Sequence, residues 1–200
     1  MGNLKLAKDT RKKNNTDADG YKTKYKGNYT NKNATRKLIN YVTRTGPRED
    51  RKEDLITWGA RGVLYFQPID DIIHIIEQTQ IVCRDRKKMG PRMFHEIYGM
   101  SDAQMCFFNE YPQLLDEFAY ACASVYYNAG YQVVYGVHNE PNTEKKMHIH
   151  FAVNAVSFNN GDKWHSDVNN EQGERENYMN MVYLDMAMRY GYIVEKMVFH

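Results

Sequence analysis

The strongest constraint on the fold of this chain is the segment Met147-His148-Ile149-His150-Phe151. In an extended strand, residues i and i+2 point to the same face. His148 and His150 therefore stand side by side, while Met147, Ile149, Phe151 and Val153 fill the opposite, apolar face. Tyr131 to His138 reads as the preceding strand and ends on a third histidine. The polar loop between them can fold the two strands antiparallel, which sets His138 opposite or diagonal to His148. Three neutral imidazoles converging with open positions bind a divalent ion, and such an ion can polarise a phosphoryl oxygen. An all-histidine site with phosphate chemistry suits Mn2+ or Mg2+, with Zn2+ a further candidate. The alternative is three histidines satisfied by hydrogen bonds at a sheet end.

Other segments fill in the fold. Asn33 can cap a helix over Ala34 to Arg44, with Leu38, Ile39 and Val42 as its apolar stripe, Tyr41 on the stripe's flank, and Gly46-Pro47 as its stop. Arg48 to Asp54 reads as a charged loop, and Gly62 to Phe66 as a short strand or a connection. Pro68 opens a long helix that turns Ile69, Ile72, Ile73, Ile76 and Val82 inward and stops at Gly90-Pro91. Met93 to Met100 alternates as a strand, with Met93, His95 and Ile97 on one face and Phe94, Glu96 and Tyr98 on the other. Ser101 caps a helical region that restarts near Pro112 and ends before Gly130. Asn160-Gly161 marks a turn, residues 171–190 a last helix, and Tyr192 to Phe199 a closing strand. Hairpins mixed with helices predict an α+β fold, a central antiparallel sheet with flanking helices.

Charge divides the chain. Residues 1–52 hold 15 Lys/Arg against 5 Asp/Glu, and residues 53–200 hold 12 against 20, for a net charge of +2. A basic segment on a mildly acidic body points to a polyanionic partner, most often nucleic acid, with a solubilising tail as the alternative. Residues 1–30 read as a basic, partly disordered or extended arm, and residues 31–200 as a single domain. Lysines interleaved with Tyr21, Tyr25 and Tyr29 suit single strands, whose backbone and bases they can contact together. No apolar run approaches the roughly 20 residues that span a bilayer. Cys83, Cys106 and Cys122 lack metal-ligand spacing and read as free thiols of a cytoplasmic protein.

His148-Ile149-His150, with an apolar residue between histidines, resembles the HUH motif of single-strand DNA endonucleases. Its flanks, Val137-His138-Asn139-Glu140 and Phe151-Ala152-Val153-Asn154, resemble the third motif of relaxases of the VirD2-like and plasmid-mobilisation type. Leu38-Ile39-Asn40-Tyr41-Val42-Thr43-Arg44-Thr45-Gly46 resembles their first motif. The resemblance spans roughly residues 36–165 and implies that residues 31–200 form a relaxase catalytic domain. It implies nicking and rejoining of one DNA strand at an origin of transfer, through a 5′-phosphotyrosine on Tyr41. His138, His148 and His150 would then hold the divalent metal ion. Single-stranded DNA and accessory relaxosome proteins are the implied partners, with no membrane.

Glu140 and Glu96 are candidates to orient a histidine or assist the tyrosine. Arg44, Lys37 and Lys163 are candidate phosphate contacts, and His95 reads as structural. Two other readings stand beside this one. A rolling-circle initiator or transposase of the same superfamily would take its nucleophile from Tyr178, Tyr183 or Tyr190 on the last helix. A non-catalytic single-strand-binding module would leave the histidines structural.

Overall fold

The structure, a computed structural model, describes residues 2–6, 33–64, 66–83, 91–140, 146–163 and 170–192. Along the chain these form β1 (Asn3–Leu6), α1 (Ala34–Thr43), 3₁₀ turns over Gly46–Asp54, β2 (Leu55–Arg61) and α2 (Ile69–Cys83). Next come β3 (Met93–Gly99), α3 (Asp102–Glu110), α4 (Leu115–Asn128), β4 (Val133–His138), β5 (His148–Asn154) and α5 (Asn170–Arg189). The strands make one antiparallel sheet in the order β1-β3-β5-β4-β2, so the strands that carry His138, His148 and His150 are neighbours near its middle. This is the α+β architecture expected from the sequence.

Strand alternation divides the core into two layers. On one face Ala60, Met93, Val134 and Ala152 pack beneath Leu38, Ile39 and Val42 of α1 and Ile72, Ile73 and Ile76 of α2. On the other, Tyr135, Val137, Ile149 and Phe151 pack against Phe107 and Phe108 of α3, Phe118 and Cys122 of α4, and Met179 and Met186 of α5. Ser101 caps α3 in a reciprocal capping box with Gln104.

Gly136 decides how closely α1 approaches the sheet. A side chain there would run into the Val42 carbonyl oxygen. The absent Cβ lets the end of α1 settle directly on β4. Gly136→Ala is expected to push α1 outward and destabilise the protein by about 1–3 kcal/mol, as overpacking does. Urea denaturation would measure this, and an unchanged midpoint would refute it.

Several expectations need correction. Asn3–Leu6, which reads as part of the arm, is a sheet strand paired with β3. Only Leu4 and Leu6 alternate there among polar residues, too short a pattern to register without its partner. Leu55–Arg61 is a strand that the sequence pattern does not announce, and Gly62 onward is only a connection. Gly59 and Ala60 are weak strand formers, and pairing with β4 holds them extended. Residues 46–54 are 3₁₀ turns rather than open loop. Val82 is 78% exposed; Gln80 is buried in its place and hydrogen-bonds Thr35, Asn154 and the Arg92 carbonyl. All but the first residue of the expected closing strand, from Ile193 onward, and most of the basic arm lie outside the described residues.

Candidate active site

The pleat brings the histidines together. His138 pairs directly with His148, and His150 sits between Gly136 of β4 and Ile97 of β3. All three are buried, and each offers a ring nitrogen within 4.8 Å of the other two. Backbone carbonyls fix two of the tautomers. His138 Nε2–H donates to the Val42 carbonyl at 2.7 Å, which leaves Nδ1 as an acceptor; that atom is buried and has no hydrogen-bond partner among the described residues. His148 Nδ1–H donates to the Lys146 carbonyl at 2.8 Å, which turns the Nε2 lone pair toward His150 Nε2 at 3.0 Å. Two ring nitrogens that close are held either by a shared proton or by a cation between them. The set is well suited to a divalent ion: nitrogen lone pairs converge, the Nδ1 of His138 has no other partner among the described residues, and outer groups orient the rings.

The third ring is oriented by a residue that reads as structural in the sequence. His95 Nε2 lies 2.8 Å from His150 Nδ1. Strand alternation alone puts His95 on the correct face of β3. Only the registry of β3 with β5 shows that it stands beside His150.

Burial disfavours the charged form of three of these imidazoles. It holds His138 and His150 well below the usual histidine range, assisted by Arg44 at His138 and by the neighbouring rings at His150. Burial, with the nearby His148, lowers His95 to about 3. The unfolded chain takes up these protons near pH 6.5 and the folded one does not, so the unfolded state binds more protons below that pH. Stability of the metal-free protein is therefore expected to fall as the pH drops below about 6.5, with the His95 contribution lost down to about pH 3. Urea midpoints that do not change between about pH 7.5 and 5 would contradict this.

Tyr41 adjoins the cluster. Its ring centroid lies 5.2 Å from that of His150, 5.7 Å from His95 and 6.3 Å from His138, all edge-on. Helix α1 places it there because Leu38, Ile39 and Val42 anchor the same helix to the sheet.

The remaining candidates separate. Arg44, a candidate phosphate contact in the sequence, is instead fully buried, with its guanidinium 4.7 Å from the Tyr41 ring centroid and paired to Glu140 and Asp54. Glu140 is buried and engaged by Arg44 and Arg51. Glu96 lies on the opposite sheet face from the histidines. It is fully buried, takes two hydrogen bonds from Arg175 and accepts a third from Tyr126. That arrangement ties α5 to β3 and sets Glu96 apart from the histidine and tyrosine that the sequence suggested it would serve. The exposed Lys37 lies one helical turn before Tyr41, and the half-buried Lys163 belongs to a bridge with Val156. In the sequence Arg51 and Asp54 are two charges in a charged run, and nothing there singles them out.

The family model described as "Relaxase: MobA/VirD2-like, nuclease domain" matches residues 41–182, a span that includes Tyr41 and all three histidines. No curated protein matches the chain.

Proposed function

The chain belongs to the MobA/VirD2-like relaxase nucleases, and on that premise we propose that it nicks and rejoins single-stranded DNA at an origin of transfer with Tyr41 as the attacking group. Membership makes it a DNA-nicking relaxase. The proposal adds the phosphotyrosine route and the metal. The observation that carries it is the Tyr41 ring edge-on to His150 at 5.2 Å.

The Tyr41 oxygen would attack the scissile phosphorus in line and lose its phenolic proton. The bond from phosphorus to the 3′ oxygen would break, and that oxygen would take up a proton. A 5′-phosphotyrosine and a free 3′-hydroxyl result, with no net loss of phosphodiester bonds, so the step reverses without ATP. His138, His148 and His150 would hold the divalent ion, which supplies charge for the nonbridging phosphate oxygens when bound. His95 and the Val42 and Lys146 carbonyls would keep the three rings turned inward. Lys37, Lys163 and the basic arm of residues 1–30 would meet the DNA backbone. Accessory proteins and a cytoplasmic setting complete the reading; among the described residues no helix is long and apolar enough to cross a membrane.

The geometry disfavours the initiator or transposase reading. Tyr178, Tyr183 and Tyr190 belong to α5 or its end, and that helix covers the sheet face opposite the histidines. Tyr183 packs against Phe107 and Phe108, and Tyr178 donates to the Ala121 carbonyl. The test is covalent capture. Labelled single-stranded oligonucleotides tiling the DNA around the gene would be incubated with the protein and Mn2+, Mg2+ or Zn2+, and the adduct mapped by peptide sequencing. A DNA–tyrosine adduct at Tyr41 supports the proposal. An adduct on α5, or none with any oligonucleotide, overturns it.

A further inference from the structure

A ring of charge lies at the end of the tyrosine helix and joins it to the strand that carries the first histidine. Arg44 ends α1 in the left-handed backbone region, with φ 51, a conformation that costs a non-glycine residue energy. That turn folds its guanidinium back over the residue three before it, 4.7 Å from the Tyr41 ring centroid, where a cation is attracted to the aromatic face. The same group lies 3.5 Å from the Tyr41 carbonyl oxygen, to which it donates. Its charge is met by Glu140 at 3.4 Å and Asp54 at 3.9 Å. Arg51 closes the set: a single guanidinium nitrogen lies 2.7 Å from Asp54 and 2.9 Å from Glu140. A backbone hydrogen bond from Asn139 to Asp54 ties the same two segments. Among the described residues, two cations thus face two carboxylates. Glu140 follows His138 by two residues, so the ring spans from the Tyr41 helix to the edge of the triad.

We propose that Arg44, Glu140, Arg51 and Asp54 form one positioning device that sets the Tyr41 ring relative to the histidines. Glu140 acts through Arg44 and does not serve as a base. The proposal rests on Tyr41 as the attacking group. Misplacing a reacting atom by about 1 Å can cost on the order of a hundredfold in rate, so a loosened ring should slow attack without weakening DNA binding.

Glu140→Gln leaves a buried cation under-balanced and risks the fold itself. Arg51, 34% exposed, provides the second variant, Arg51→Gln. Because one nitrogen makes both of its contacts, Arg51→Lys keeps the charge where it is needed and serves as the rescue. Three quantities would be measured on the whole chain: single-turnover adduct formation with Mn2+ and the captured oligonucleotide, equilibrium affinity for that oligonucleotide, and the NMR signals of the Tyr41 ring, assigned by their loss in Tyr41→Phe. Arg51→Gln should slow capture by about tenfold or more while changing affinity by less than about twofold. It should also shift the Tyr41 ring signals, and Arg51→Lys should restore rate and signals together. Unmoved ring signals, an unchanged rate, or a loss of affinity matching the loss of rate would overturn the proposal. Absence of any adduct from the unsubstituted protein would count against the phosphotyrosine reading, while the ring signals still decide the positioning role.

Discussion

Tyr41→Phe is expected to abolish nicking and covalent capture while leaving the fold, metal retention and most of the DNA affinity in place. The substitution removes one oxygen. The ring remains, with its edge contacts to His150 and His95 and its face to Arg44. The loss should reach on the order of 10^3-fold or more, the scale seen when an enzyme loses its nucleophile. Tyr178→Phe and Tyr183→Phe should both still form the adduct, because α5 lies across the sheet from the triad. Capture on denaturing gels provides the measurement. Robust adduct formation by Tyr41→Phe, with loss in an α5 variant, would transfer the chemistry to the last helix.

Replacing His148 and His150 together by alanine is expected to abolish both metal retention and nicking. The two side chains supply two of the three converging ring nitrogens. Loss of an outer-shell partner alone typically costs about 10–100-fold in metal affinity, so removal of two ligands should exceed about a hundredfold. The fold should survive, because Ile149, Phe151 and Val153 still anchor β5 from the other face. Some destabilisation is expected: His95 loses its contact with His150, and the loss of a buried hydrogen bond costs about 1–3 kcal/mol. Calorimetry of Mn2+ and Zn2+ binding, with far-ultraviolet circular dichroism as the folding control, would test it. Unchanged metal affinity in the double variant would remove the site.

The sequence by itself determined the parts that depend on local pattern. Period-two alternation placed His148 and His150 on one face of β5 and His95 on one face of β3, because a strand fixes side-chain direction whatever its surroundings. Helical spacing and the Gly46-Pro47 break bounded α1 and set Tyr41 beside its apolar stripe. Ser101 announced the start of α3, where a short side chain can satisfy a free backbone N–H. Tertiary structure decided everything that depends on which surfaces meet. Strand order placed β1 and β2 at the sheet edges, where short segments of weak intrinsic preference hold only through pairing. Strand registry placed His95 behind His150, and the missing side chain of Gly136 brought the Val42 carbonyl to His138. Glu96 turned out to be a buried tie to Arg175, across the sheet from the chemistry. Arg44 and Arg51 could not be told from solvated cations in a charged run, because a charge is assigned its role by the groups that bury it, and those come from distant parts of the chain.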